Sequence, residues 1–270
     1  MTHPKRILSR YDIAPKKSLG QNFLVETRAL EKICELAELS PDDQVLEIGP
    51  GTGALTTKMA ASAGRVITVE LDDRLLPILL EELAAFDNVE VFHRDILNLD
   101  HTALFAQAFK VVANLPYYIT GAVLRHLMVP KKKPQLMVLT VQKEVAERLT
   151  AQPGEMSILA VSVQLHGLIR REFAIPAGSF WPKPAVDSAV IRFDKRESSL
   201  LPSEDEESFL RLVKMGFSSK RKQLQKNLRA LISDKVLLND KLRSAGIDGT
   251  RRAETLSIEE WLALYRELRD

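Results

Sequence analysis

The residues with the most chemistry to offer stand together as Asn114-Leu115-Pro116-Tyr117, directly after the apolar run Val111-Val112-Ala113. Asn114 can present a side-chain carbonyl, and Leu115 a backbone carbonyl. Pro116 stiffens the turn and adds no competing N–H. Tyr117 offers a flat face on which a nucleobase can stack, worth roughly 1–3 kcal/mol. Two acceptors aimed at the N–H protons of an exocyclic aromatic amine draw its lone pair out of conjugation. They also stabilise the positive charge that builds on nitrogen as it attacks. The stretch suits a mouth that grips a flat, amine-bearing ring. A strand that merely ends in a Pro-Tyr turn fits these four residues equally well.

Three earlier segments end in ligand groups too. Glu47-Ile48-Gly49-Pro50-Gly51-Thr52-Gly53 follows a strand pattern and opens a helical one. Its glycines let a ligand approach the backbone closely. Glu70 closes the next strand, at about the 20-residue spacing where an acid binds ribose hydroxyls. Asp95 closes a third strand and can accept from an adenine amino group, with a backbone N–H beside apolar Ile96 meeting the ring. Gly49-x-Gly51-x-x-Ala54 also satisfies the loose dinucleotide pattern, so NAD stays open here, as does a tight turn with no ligand. Four consecutive strands finishing in Gly49, Glu70, Asp95 and Asn114 argue for one crevice, because the carboxyl ends of parallel strands line the binding site of an open sheet.

The elements that must position these groups are legible as alternating patterns. Strands are expected within 44–56, 65–72, 88–97, 110–118 and 135–142, with helices over 55–63, 73–85, 101–109 and 121–129. Such alternation predicts an α/β parallel sheet covered on both faces. Residues 171–193 read as two further strands joined by a proline-rich connection, an antiparallel edge hairpin that brings the sheet to seven strands. After Phe193 a polar, acidic stretch reads as a linker, and from Ser208 onward the apolar spacing is helical throughout. The expected division is therefore 1–195, carrying a basic arm 1–24, and a small all-α domain over 196–270.

Hydrophobic residues make up 45% of the 270-residue chain and charged residues 27%, as in a globular protein. Charge and proline break every apolar run before the ~20 residues of a membrane span. The basic N-terminus has no apolar core of signal-peptide length, so a cytoplasmic location is expected. The single cysteine, Cys34, sits among Leu30, Ile33, Leu36 and Leu39 at helical spacing and reads as a packed core thiol. Histidines 3, 93, 101, 126 and 166 show no ligand spacing, and no metal is expected. The formal net charge is only +2, yet residues 1–24 hold five cations against Asp12 alone, and residues 214–229 hold six with no acid. Lys131-Lys132-Lys133 adds a third block. Three basic islands on a nearly neutral protein point to a polyanion partner.

Taken together, Glu-x-Gly-x-Gly-x-Gly, Glu70, Asp95 and Asn-Leu-Pro-Tyr resemble the motifs of the rRNA adenine N6-dimethyltransferases, which use S-adenosylmethionine (SAM). KKSLGQNFL (16–24) is similar to that family's N-terminal signature. FWPKPAVDSAV (180–190) is similar to its Phe-x-Pro-x-Pro-x-Val-Asp-Ser block, and GFSSKRKQLQKNL (216–228) to its basic C-terminal helix. The basic C-terminal helix, RAETLSIEEW and the long N-terminus resemble the small-subunit, kasugamycin-sensitivity branch more than the macrolide-resistance branch, which acts on large-subunit rRNA.

The resemblance implies a Rossmann-like methyltransferase fold and cofactor contacts from Asn22, Leu24, Gly49, Gly51 and Ile96, with Glu70 on the ribose and Asp95 on the adenine. Asn114 would bridge cofactor and target, Leu115 would help hold the target amine, and Tyr117 and Phe180 would sandwich the base. Trp181 is bulkier than the family's usual residue, and Thr52 stands where Leu is common. The implied reaction is dimethylation of N6 on two adjacent adenosines near the 3′ end of small-subunit (16S) rRNA, leaving S-adenosylhomocysteine (SAH). The implied partner is the immature small subunit, gripped through the basic islands and the helical domain; a monomer is expected, though not from the resemblance. An assembly factor whose binding outweighs its catalysis is the rival from another class.

Overall fold

The computed structural model describes residues 2–128 and 132–269, so Lys131 of the third basic island lies outside it. Among the described residues nine strands form: β1 (Phe23–Leu24), β2 (Gln44–Ile48), β3 (Arg65–Glu70), β4 (Val89–His93), β5 (Lys110–Asn114), β6 (Leu136–Gln142), β7 (Gly167–Ile175), β8 (Phe180–Trp181) and β9 (Ser188–Lys195). Seven make one sheet in the order β4-β3-β2-β5-β6-β9-β7. The pairs from β4 through β6 are parallel, and β9 runs antiparallel to β6 with Leu139 opposite Ile191. Valines and isoleucines fill the central strands because both sheet faces are covered. Val45, Val66, Val112 and Val138 pack with Leu30, Ile33, Leu55 and Met59 of the covering helices. The alternate residues Leu46, Ile67, Val111, Met137 and Leu139 are equally buried on the other face.

From β2 the chain steps outward to β3 and β4, and later returns to β2's other flank as β5. The crevice at such a reversal, above the carboxyl ends of the strands, is where α/β sheets bind ligands. Glu70 and Asn114 are the last residues of β3 and β5, and Asp95 follows β4 by two residues. The elements that the sequence called for in this half are present, with one exception. The helix expected over 101–109 is a single tight turn, His101–Leu104, capped by the Asp100 side chain accepting from Thr102 N at 3.0 Å. Phe105 and Phe109 supply the apolar spacing, but their rings stack on each other in the core at 4.5 Å instead of following a helix.

The helices are α1 (Pro4–Arg10), α2 (Thr27–Ala37), α3 (Ala54–Ala60), α4 (Leu76–Glu82), α5 (Thr120–Met128), α6 (Lys143–Leu149), α7 (Ile158–Gln164), α8 (Glu206–Gly216), α9 (Leu224–Asn227), α10 (Lys235–Ser244) and α11 (Ile258–Arg269). Cys34 on α2 is half-buried against the sheet core, and burial pushes its thiol up to about 11, which keeps it unreactive.

The chain forms two compact units, and they do not follow a single boundary at residue 195. One unit takes the chain through Ala146 together with Ile169–Lys195. The other takes Glu147–Leu168 with everything from Arg196. The second unit is helical around Phe209, Leu224 and fully buried Trp261, and α7 contributes Ala160 and Val161 to the same core. Its basic segment is mostly turn. Asn227 Nδ2 donates to the carbonyls of Gly216 and Ser219, so helix gives way to a bend over 218–223 that holds Lys220, Arg221 and Lys222 exposed. The third basic island is weaker than its sequence suggests, because Lys133 is buried and Lys132 half-buried. No helix among the described residues is long and apolar enough to cross a membrane.

Candidate active site

The glycine turn after β2 is built for close approach. Gly51 has φ +61°, and a Cβ there would meet the Phe23 ring at 2.9 Å. Only glycine tolerates both demands. The N–H of Gly51 donates to Glu70 Oε2 at 3.3 Å, tying the turn to the tip of β3. Glu70 Oε1 accepts from the N–H groups of Leu71 and Asp72, both at 2.8 Å. Only 6% of Glu70 is exposed, and this burial pushes its carboxyl up, against the pull of the three amides. Asp95 is oriented in the same manner, accepting from Leu97 N at 2.9 Å and Asn98 Nδ2 at 3.1 Å. Below the turn, Glu47 is fully buried and accepts from the Thr56 hydroxyl at 2.5 Å. Burial pushes the Glu47 carboxyl up to about 8, so it is largely uncharged at neutral pH.

Asn114 is the decisive side chain. Its Nδ2 donates to the backbone carbonyl of Asn22 at 3.0 Å. A carbonyl accepts only from the NH2 end of an amide, so the orientation is fixed. The group left to meet a ligand is Oδ1, an acceptor. Next to it, Leu115 is held through its N–H to Thr140 O at 3.1 Å. The hydroxyl of half-buried Tyr117 shares a hydrogen bond of 2.6 Å with Ser188 Oγ, which fixes the ring in place.

One cleft collects these groups. Its walls include Asn22, Leu24, Gly49, Gly51, Glu70, Asp95, Ile96, Asn114, Leu115 and Tyr117. Phe180 is the exception: it is 3% exposed and does not line the cleft. It belongs to the two-stranded sheet of β1 and β8, in which Leu24 stands opposite Phe180 and Phe23 opposite Trp181. Directly opposed residues share a face, and both pack in the apolar core with Leu30 and Val190; Leu24 also reaches the cleft wall, and Phe180 does not. Two-residue strands carry no periodic signal, so nothing in the pattern announced this pairing. Sequence reasoning also missed Ser188, although Asp187-Ser188 sits in a block already singled out. Tyr118, 56% exposed on the cleft wall, was passed over beside its neighbour. Among the described residues, no group of three or more His, Cys, Asp and Glu could hold a metal.

The cleft therefore offers a buried carboxylate for a diol, a second one beside an apolar wall for an adenine ring, and an oriented carbonyl beside a flat face. Those donors and acceptors have the chemistry to hold a nucleoside that carries a polar chain. Known proteins resemble the chain over nearly its whole length. The family model described as "Ribosomal RNA adenine dimethylase" matches residues 14–270. A protein of Dehalococcoides mccartyi (strain CBDB1) named "Ribosomal RNA small subunit methyltransferase A" is 42% identical over 99% of this chain and 93% of its own length. A protein of the same name from Geobacillus thermodenitrificans is 42% identical over 98% of this chain and 94% of its own. Among solved structures, the 23S rRNA methyltransferase ErmE superposes with TM-score 0.77 at 30% identity, over 92% of this chain and 100% of that one. A dimethyladenosine transferase from Plasmodium falciparum superposes with TM-score 0.78 at 28% identity, over 90% of this chain and 95% of that one.

Proposed function

The chain belongs to the ribosomal RNA adenine dimethylase family, and from that premise we propose that it uses SAM to dimethylate N6 of two adjacent adenosines near the 3′ end of small-subunit rRNA, in the cytoplasm. The observation that carries this reading is the hydrogen bond from Asn114 Nδ2 to Asn22 O, which leaves Oδ1 as an acceptor at the tip of β5. The names of the sequence relatives support the small subunit as partner. The likeness to ErmE supports a second reading, a large-subunit substrate, because the fold serves both.

Bound SAM would supply a methyl group on a sulfonium, already an excellent leaving group. The protein's task is then positioning and electrostatics. Glu70 accepts from the ribose hydroxyls, and Asp95 from the adenine amine. The target base stacks on Tyr117, whose ring the Ser188 contact fixes. That stacking offsets much of the few kcal/mol needed to unstack a base from RNA. Asn114 Oδ1 and the Leu115 carbonyl accept from the target N6–H groups, localise the lone pair and stabilise the developing charge. The proton leaves afterwards without a strong base, since the product cation is acidic. Phe180 serves as the second stacking face only if its ring leaves the core that now holds it. Phosphates meet the exposed cations of residues 5–17 and 220–229.

The test is direct. Incubate the protein with labelled SAM and unmethylated small and large subunits separately, digest the RNA and identify the nucleoside. Dimethyladenosine in small-subunit rRNA is expected. Label only in large-subunit rRNA, or on another base, overturns the proposal.

A further inference from the structure

One side of the cleft is made by the N-terminal arm, since Leu19, Gly20, Gln21, Asn22, Phe23 and Leu24 all line it. The arm is anchored at both ends. At its start, Ile7 and Leu8 of α1 are buried with Leu75 and with Ile78 of α4. At its end, β1 pairs with β8. Of the dozen residues between, Tyr11 and Ile13 still pack against that core, and the stretch beyond them carries one short helical turn, Lys17–Leu19.

In the middle of that span a buried carboxylate takes hold of the arm. The Asp72 side chain has 0% exposure. Its Oδ2 accepts from Gln21 Nε2 at 2.8 Å and Arg74 Nη2 at 2.6 Å. Its Oδ1 accepts from Arg74 Nε at 2.9 Å and from Lys16 Nζ at 3.4 Å. Gln21 is fully engaged, because its Oε1 accepts from Lys16 N at 2.7 Å. Arg74 reaches the arm as well, donating to Ala14 O at 3.2 Å. The Asp72 N–H in turn donates to Glu70 Oε1, the carboxylate proposed for the ribose. A residue that only capped the short turn Asp73–Leu75 would need one backbone amide. Asp72 accepts from that amide at 3.4 Å and spends its better geometry on side chains of, or bound to, the arm.

We propose that Asp72, through Gln21 and Arg74, is a latch that holds the N-terminal arm closed over the methyl-donor site, and is thus a positioning residue for cofactor binding. This rests on the proposed use of SAM. Lys16 contributes little, being 43% exposed in its side chain and screened by water. With the latch broken, the arm spends time away from the cleft. Apparent cofactor affinity then falls by the fraction of molecules still closed. Saturating cofactor restores the closed arm, and with it the Asn22 carbonyl that orients Asn114. The latch therefore governs the cofactor KM and leaves kcat nearly alone.

The experiment uses the full chain with Asp72→Asn, Gln21→Leu and the double variant. SAH affinity is read by calorimetry, SAM KM and kcat on unmethylated small subunits, and the rate of trypsin cleavage after Lys16 and Lys17 with and without SAH. Loss of charge-assisted hydrogen bonds predicts SAH binding weaker by about tenfold or more in each single variant. We expect kcat within about twofold of wild type, faster cleavage that SAH suppresses, and a double variant little worse than Asp72→Asn alone. Unchanged SAH affinity in Gln21→Leu, a variant at a half-buried arm position that spares the core, overturns the latch. So do additive effects, or a kcat that falls with KM unchanged, as a purely structural role would give. If the wild-type protein binds neither SAM nor SAH, the proposed function fails instead. The ligand-free trypsin comparison still reads the latch in that case.

Discussion

Replacing Asn114 by Asp tests the orientation argument more sharply than removing the side chain. In the wild-type protein the NH2 group is 3.0 Å from the Asn22 carbonyl oxygen, and Oδ1 is the acceptor proposed to meet the substrate amine. Asn114→Ala removes that acceptor. By analogy with deleting one oxyanion-hole donor, methyl transfer should slow by about 10²–10³-fold, some 2.7–4 kcal/mol. Asn114→Asp keeps the shape but sets a carboxylate oxygen against the Asn22 carbonyl, acceptor against acceptor. At neutral pH the variant should be about as slow as Asn114→Ala. Protonation restores the pattern, because a neutral carboxyl can donate to Asn22 O and still offer its carbonyl outward. That repulsion holds the Asp pKa above its ordinary value of about 3.9. Activity of Asn114→Asp relative to wild type should therefore rise as pH falls toward that raised pKa. The assay is single-turnover transfer of labelled methyl to unmethylated small subunits at saturating SAM, from about pH 5 to 8. Asn114→Asp matching wild type at neutral pH, or Asn114→Ala losing less than tenfold, would refute the reasoning.

Three further outcomes are expected. Gly51→Ala forces a non-glycine residue to φ +61° and drives its Cβ into Phe23; it should cost at least ~1–2 kcal/mol of stability and weaken SAH binding, seen by thermal shift and calorimetry. Glu47 keeps its proton to about pH 8 when folded but releases it near 4.5 when unfolded, so between these values the unfolded state binds fewer protons and wild-type stability falls as pH rises. Glu47→Gln lacks this penalty, and denaturant melts should show its advantage over wild type growing by up to ~1.4 kcal/mol per pH unit across that window, then levelling off. Replacing exposed Lys220, Arg221 and Lys222 by Ala should weaken binding to small subunits and make the log–log salt slope shallower by about 2, at ~0.7 per lost phosphate contact; an unchanged slope in filter binding would remove this turn from the RNA interface.

Much of the site was legible because a parallel sheet presents its ligand groups at one edge. Glu70, Asp95 and Asn114 each end or closely follow a strand rich in valine, and that position is a property of the strand pattern itself. The glycine turn alone did not separate SAM from NAD, since both need the same close approach to the backbone. What escaped depended on contacts between distant segments. The pairing of Leu24 with Phe180 joins two strands too short to leave a period, and Phe180 is buried there. The Ser188 contact to Tyr117 spans 71 positions. Phe105 and Phe109 carry a helical spacing but stack in the core without a helix. The segment Glu147–Leu168 joins the helical unit through buried residues such as Ala160 and Val161, which no change in composition marks. Asn227 breaks what reads as one basic helix by satisfying carbonyls at the end of α8.

The most direct measurement is a crystal structure of the protein with SAH. The account predicts both ribose hydroxyls on the Glu70 carboxylate, and Asn114 Oδ1 beside the sulfur's open side, about 3 Å from where an attacking amine nitrogen would sit. An Asn114 amide turned away from the sulfur, or a ligand whose ribose lies elsewhere than on Glu70, would contradict it.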